Sequence, residues 1–157
     1  MKLGIYNIIN NPLPQLATIK EIDVNEEDFK YYEKIVDIMN NHLNMDKLSS
    51  EYVYALSLTY NCIPRGIVLV SVGKCDRCDP DIRGLATGLL LTGAEQFMCF
   101  HNHPGYNKKI SKDDVNMTNK YKEIGNLIGV HFLKHIMITK DFYDYCNDNE
   151  DFELPFV

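Results

Sequence analysis

The apolar run Phe97-Met-Cys-Phe100 leads without a break into His101-Asn-His103-Pro104-Gly105. Such a stretch is a short buried strand that ends at a proline, and residues two apart on a strand face the same side. His101 and His103 are therefore expected to point one way, from the end of an element fixed in the core. Two imidazoles presented like this suit a shared cation. Eight residues after His103 comes Ser111, and three later Asp114, where a helix is expected to start. Ser111-Lys-Asp-Asp114 also reads as a capping box, with Ser111 as N-cap. The two roles of Asp114 compete, because one carboxylate oxygen cannot both cap a helix fully and bind an ion.

Other segments supply the scaffold. Pro12 and Pro14 break any helix early on, so residues 1–24 are expected to be an extended or irregular N-terminal arm. A helix is expected from Asn25, with Glu26, Glu27 and Asp28 at the positive end of its dipole. Phe29, Tyr32, Val36, Met39 and Leu43 recur at spacings of three and four and mark its buried face. The β-favouring run that opens at Glu51, a turn at Asn61-Cys-Ile-Pro64 and the run Gly66–Gly73 predict an antiparallel hairpin. A polar loop, 74–80, precedes a helix from Pro80 to Leu91 that buries Ile82, Leu85, Ala86 and Leu89 and stops at Gly93. The helix from Ser111 turns Val115, Thr118, Tyr121 and Ile124 inward, and Lys134–Thr139 is a last strand. From Asp141 on the chain is acidic and aromatic, with no clear regular structure. The order helix, two strands, helix, strand, helix, strand predicts an α+β or three-layer α/β/α domain with a mixed sheet. It spans 25–145 and is followed by an acidic tail, 146–157.

The 157 residues fit one domain, and 45% apolar residues suffice for a core. No apolar run reaches the roughly 18 residues that cross a membrane. No signal peptide is read in the first residues, so the expected compartment is the cytoplasm. The net charge of −6 disfavours binding to phosphate backbones, and Lys108, Lys109 and Lys112 form only a small basic cluster. Five cysteines, an odd number, argue against a disulfide framework. Cys75 and Cys78 form a C-x-x-C without a second ligand pair, and read as reduced thiols in a turn. His42 and His131 read as solvated or edge residues, and His135 as a packed or surface histidine of the last strand, with a place behind the metal ligands as the alternative.

Two histidines and one carboxylate leave a tetrahedral zinc ion one open position. Water there has its pKa lowered toward about 7. Hydrolysis then needs a nearby base that is not itself a ligand.

His101-x-His103-Pro-x6-Ser111-x-x-Asp114 resembles the JAMM metal motif of the JAB/MPN-domain metalloproteases. More closely, the HNHPG segment, Thr118, Gly125 and His135-Ile136 resemble the RadC branch, over about residues 35–145. The resemblance implies a cytidine-deaminase-like fold, a twisted mixed sheet flanked by helices. It implies zinc on His101, His103 and Asp114, and a glutamate at the start of an upstream strand as general base, which falls on Glu51. Glu26, Glu27, Glu33 and above all Glu95 compete for that role. Ser111 would orient a scissile carbonyl or stabilise its oxyanion. The sequence departs from the family pattern at Pro104-Gly105-Tyr106, at Lys134 and at Cys78-Asp79-Pro80-Asp81. No helix-hairpin-helix segment of the kind common ahead of this domain in longer members is read here. These departures spare the metal set but weaken inferences about partners.

The expected function is a zinc-dependent peptidase or isopeptidase acting on an unknown protein or peptide. The alternatives are a non-catalytic or DNA-associated accessory module, and a metal-dependent nuclease. Charge speaks against nucleic acid, whatever the family name suggests.

Overall fold

The computed structural model describes residues 1–73 and 81–146. Cys75, Cys78 and the residues after 146 lie outside these described segments.

Seven strands among the described residues form one sheet: β1 (Lys2–Asn10), β2 (Pro14–Asp23), β3 (Tyr52–Leu58), β4 (Pro64–Val72), β5 (Gln96–Asn102), β6 (His131–Thr139) and β7 (Phe142–Tyr145). Their order is β2-β1-β4-β3-β5-β6-β7. The pairs β1/β4 and β5/β6 are parallel and the other four are antiparallel, so the sheet is mixed. Helix α1 (Tyr32–Leu43) covers one face, and α2 (Ile82–Leu91) and α3 (Lys112–Ile128) cover the other. The protein is a three-layer α+β domain.

The period of two sorts the two cores. On the central strands Tyr54, Leu56, Leu58, Met98 and Phe100 pack toward α1. Val53, Ala55, Phe97 and Cys99 pack toward α2 and α3. Covered on both sides, these strands read as continuous apolar runs. His101 continues the odd set of β5 and so projects on the α3 face, while Asn102 turns the other way.

Of the two states expected for residues 1–24, extended or irregular, the extended one holds over Lys2–Asn10 and Pro14–Asp23. β1 and β2 form a hairpin whose first strand joins the sheet through Ile5 opposite Ile67. Leu3, Ile5 and Ile22 are buried in it. The helix expected from Asn25 is two pieces. Asn25 caps a 3-10 turn, Glu26–Lys30, which ends where Tyr31 N–H bonds Asp28 O at 3.2 Å. Tyr31 is extended, at φ −128° and ψ 121°, and α1 starts after it. Phe29, Val36, Met39 and Leu43 are buried all the same.

Helix α2 is capped by Asp81, whose Oδ1 accepts from Gly84 N at 2.8 Å. It stops at Thr92 and Gly93, the latter at φ +67°. Leu85 and Leu89 are its buried apolar positions, with Ile82 and Ala86 half-buried. Helix α3 buries Asp114, Met117, Thr118, Tyr121 and Gly125. Gly125 lets α3 lie against the start of β5 and β6: a Cβ there would meet Val130 O at 2.6 Å and Phe97 Cε1 at 3.0 Å. Beyond the expected last strand, the chain reverses at Lys140-Asp141 and forms β7, which pairs with β6 from Thr139/Phe142 to Ile136/Tyr145. Asp141 takes a positive φ of 58° in this two-residue turn. No described helix is long and apolar enough to cross a membrane.

Candidate metal centre

The end of β5 and the start of α3 meet on the face that α3 covers. His103 stands one residue past β5, yet its N–H still bonds Ile138 O of β6 at 2.8 Å, so the strand's direction is kept through it. Pro104 and Gly105 then turn the chain, with Gly105 at φ +78°. Thr139 Oγ1 donates to Gly105 O at 2.6 Å and pins the turn to β6. The chain returns at Ser111, the N-cap of α3.

His101, His103 and Asp114 converge there and are 2%, 8% and 5% exposed. His101 Nε2 lies 3.1 Å from Asp114 Oδ1, and His103 Nε2 lies 3.4 Å from Asp114 Oδ2. The conflict expected between capping and ligation is divided between the two carboxylate oxygens. Oδ2 accepts from Ser111 N and from Ser111 Oγ, both at 2.7 Å, and Asp114 N returns a bond to Ser111 Oγ at 3.1 Å. The capping box is complete, and Oδ1 is left facing His101. The Ser111 hydroxyl hydrogen is thus directed at Asp114.

Behind the convergence stand further polar groups. His103 Nδ1 is 3.2 Å from Asn107 O. His101 Nδ1 is 2.7 Å from Nε2 of His135, a fully buried residue of β6. His135 Nδ1 in turn is 2.8 Å from Thr118 Oγ1. Burial pushes the His101 and His135 imidazoles down, toward the neutral form. The bond to Asp114 raises His103 against the pull of its own burial. Burial would raise the Asp114 carboxyl, but the histidines and the Ser111 amide hold it well below the usual carboxylate range.

These residues fit a zinc ion. One donor atom from each of His101, His103 and Asp114 lies within 4.8 Å of the other two. His101 Nε2 is fully buried and has no hydrogen-bond partner, although a carboxylate oxygen lies 3.1 Å away. A buried nitrogen so placed is an expensive orphan unless a cation takes its lone pair. Two imidazoles and a carboxylate also match the ligand chemistry of catalytic zinc. His101, His135 and Cys146 form a second grouping of the same tightness. There the two rings already bond each other, and burial pushes the Cys146 thiol far up, away from the thiolate that metals bind.

Among the carboxylates, Glu51 is brought to this end of the sheet. β3 and β5 pair antiparallel, and their ladder ends with Val53 opposite His101, two residues after Glu51. Glu51 acts electrostatically on His103, helping to raise it. Asn102 grips the backbone on both sides of Glu51, donating from Nδ2 to Ser50 O at 2.9 Å and accepting at Oδ1 from Tyr52 N at 2.7 Å. Glu95 precedes β5 at its other end, about 20 Å from His101 by strand rise. It accepts from Tyr60 N at 2.8 Å and pairs with Arg65 at 3.5 Å. Glu26 and Glu27 belong to the 3-10 turn and Glu33 to α1, on the far side of the sheet.

Sequence reasoning did not assign Asn102, nor the place of His135 beside His101. A bulge after Phe132 resets the β5–β6 register so that His135 pairs with Cys99, on the same face as His101. Nothing in the sequence marks that bulge. Thr118 carried a signal, since it follows Asp114 by four residues and so shares its helix face. Lys134, which departs from the family pattern, turns to the α1 side, with Nζ 5.3 Å from the Tyr145 ring centre.

Residues 29–150 match the family model described as the RadC-like JAB domain. The chain is 29% identical over 161 residues to a UPF0758 protein of Clostridium botulinum, covering 89% of this chain and 70% of that protein. It is 31% identical over 105 residues to a UPF0758 protein of Clostridium acetobutylicum, covering 65% of this chain and 46% of the relative. A UPF0758 protein of Listeria monocytogenes is 41% identical over 54 residues, and the match spans only 24% of its length. Given a match over most of its length and a histidine pair set against Asp114, the chain belongs to the RadC-like JAB domain family.

Proposed function

We propose that this domain is a zinc-dependent hydrolase that cleaves an amide bond, as a metallopeptidase or isopeptidase. The observation that carries the reading is His101 Nε2, a buried nitrogen without a hydrogen-bond partner, aimed with His103 Nε2 at the Asp114 carboxylate. His101, His103 and Asp114 would hold the ion, and three protein ligands leave a place for reactive solvent. The chemistry such an ion supplies is Lewis acidity, which brings the pKa of a water toward about 7.

The chain's own groups do the rest. Glu51 takes a proton from the attacking water and delivers it to the amine nitrogen as the C–N bond breaks. Asn102 fixes the backbone from which Glu51 projects. Ser111 holds Asp114 through Oδ2, and can reach a substrate carbonyl only by releasing that bond. The net charge of −6 favours a peptide over a nucleic-acid substrate. The unpaired, buried Cys62, Cys99 and Cys146 suit the reducing cytoplasm.

The test is hydrolysis of a pool of linear and isopeptide-linked substrates by zinc-loaded protein, with Glu51→Gln as control. The reading expects metal-dependent cleavage in the wild type, and retained zinc with at least about 100-fold slower cleavage in the variant, as for loss of a general base. Full zinc occupancy without cleavage of any amide substrate would overturn it.

A further inference from the structure

Three side chains form a continuous buried chain behind the metal centre: His101 Nδ1 to His135 Nε2 at 2.7 Å, then His135 Nδ1 to Thr118 Oγ1 at 2.8 Å. The Thr118 hydroxyl also lies 2.9 Å from Asp114 O and 3.1 Å from Cys146 O. Distances alone do not say which way the hydrogens run, but the end of the chain does. Both final partners are backbone carbonyls, which can only accept. If Thr118 donates to them, it must accept from His135 Nδ1–H. His135 Nε2 then carries a lone pair and accepts from His101 Nδ1–H, and the remaining nitrogen of His101, Nε2, is left with its lone pair toward Asp114. In the opposite direction Thr118 would donate to His135, leaving its oxygen against two carbonyl oxygens. His101 Nε2 would then bear a buried hydrogen turned toward Asp114 Oδ1, 3.1 Å away, in place of the lone pair a metal needs. The Thr118 end decides: only the first direction places a hydrogen between its oxygen and the two carbonyls.

We propose that His135 is a positioning residue: together with Thr118 it locks His101 into the tautomer whose Nε2 is free to bind a metal. The inference rests on the metal reading for its purpose but not for its existence, since the relay is complete without an ion. His103 reaches the same state by a shorter route, because Asn107 O next to its Nδ1 can only accept. The two rings of the His-x-His pair thus present matching nitrogens. The device also explains the depth of His135. Tyr121 meets its ring edge-on, with centroids 5.1 Å apart and planes at 80°, and fixes its rotation. β7 brings Cys146 O to the end of the relay through the bond from Cys146 N to His135 O at 2.9 Å.

The test has two arms. In metal-free protein with 15N-labelled histidine, long-range proton–nitrogen spectra at about pH 8, where histidine is ordinarily neutral, read each tautomer. His101 and His135 are both expected in the Nδ1–H form, and Thr118→Val is expected to let both rings populate the other form while Thr118→Ser does not. In the second arm, zinc affinity is measured by competition with a chromophoric chelator. His135→Phe is expected to weaken binding about 10- to 100-fold, as for loss of a group that orients a ligand. His135→Gln, whose amide oxygen can accept from His101 Nδ1–H, is expected to recover most of that loss. If His135→Phe does not fold, the Thr118 pair carries this arm, with Val weakening zinc several-fold more than Ser. A His101 with hydrogen on Nε2 in the metal-free wild type overturns the proposal, as does a folded His135→Phe or Thr118→Val that binds zinc like wild type. Failure of the wild type to bind zinc at all would instead strike the hydrolase reading, and the spectra would still decide the relay.

Discussion

Ser111 and Asp114 are locked to each other at the start of α3: Asp114 Oδ2 takes two 2.7 Å bonds from Ser111, and this turns Oδ1 toward His101. The helix cap therefore aims a metal ligand. Ser111→Ala is expected to cost about 1 kcal/mol of stability, as for loss of a serine cap. It is also expected to lower zinc affinity about tenfold, because the carboxylate loses an orienting bond. Ser111→Thr should restore both. Urea unfolding and chelator competition measure the two effects separately.

Asn102 separates the two jobs of the His-x-His segment. Its neighbours face α3, while its own amide ties Ser50 O and Tyr52 N on the other strand. Asn102→Ala leaves those backbone groups without this partner and is expected to destabilise the fold by about 1–3 kcal/mol. Zinc affinity should stay within about threefold of wild type, because no ligand is oriented through this amide, whereas groups that do orient ligands cost tenfold or more. Cleavage should fall, since Glu51 sits between the two gripped residues.

Gly125→Ala is expected to destabilise by about 1–3 kcal/mol, as overpacking does. The added methyl would meet Val130 O at 2.6 Å, and a backbone carbonyl held by the turn into β6 cannot move aside cheaply. Thermal unfolding reads this directly, and an unchanged melting temperature would mean that α3 stands farther from the sheet.

Much of the fold and site was legible where local pattern coincides with tertiary role. The period of two in Phe97–Phe100 foretold that His101 and His103 would leave the core together, and Ser111-x-x-Asp114 foretold the cap. Glu51 came from family resemblance, and it lies two residues before Val53, which pairs with His101. Three features were hidden for physical reasons. β2 is exposed along most of its length, so it lacks the alternation that marks a half-buried strand. The β6–β7 turn at Lys140-Asp141 has no glycine to announce it, and β7 is four residues long. His135 depends on a bulge that shifts one strand by one place, a property of pairing between distant segments.

Alkaline pH should loosen the α1 side of the core. Burial raises Tyr54 to about 12, above the ordinary value of 10.0. A phenol whose folded pKa is raised favours the folded state below its unfolded pKa, and that contribution is lost as pH rises toward the folded value. Stability is therefore expected to fall between about pH 10 and 12, and Tyr54→Phe should make the fall shallower. Urea midpoints across that range test it, and an identical slope in the variant would contradict it.

X-ray absorption at the zinc edge, on protein carrying one equivalent of zinc, asks the central question most directly. The account predicts two imidazole nitrogens at about 2.0–2.1 Å and otherwise only oxygen ligands at about 2.0–2.2 Å, with the signal lost in His103→Ala. A sulfur ligand at about 2.3 Å, from Cys146 or the Cys75–Cys78 pair, would place the ion elsewhere and contradict it.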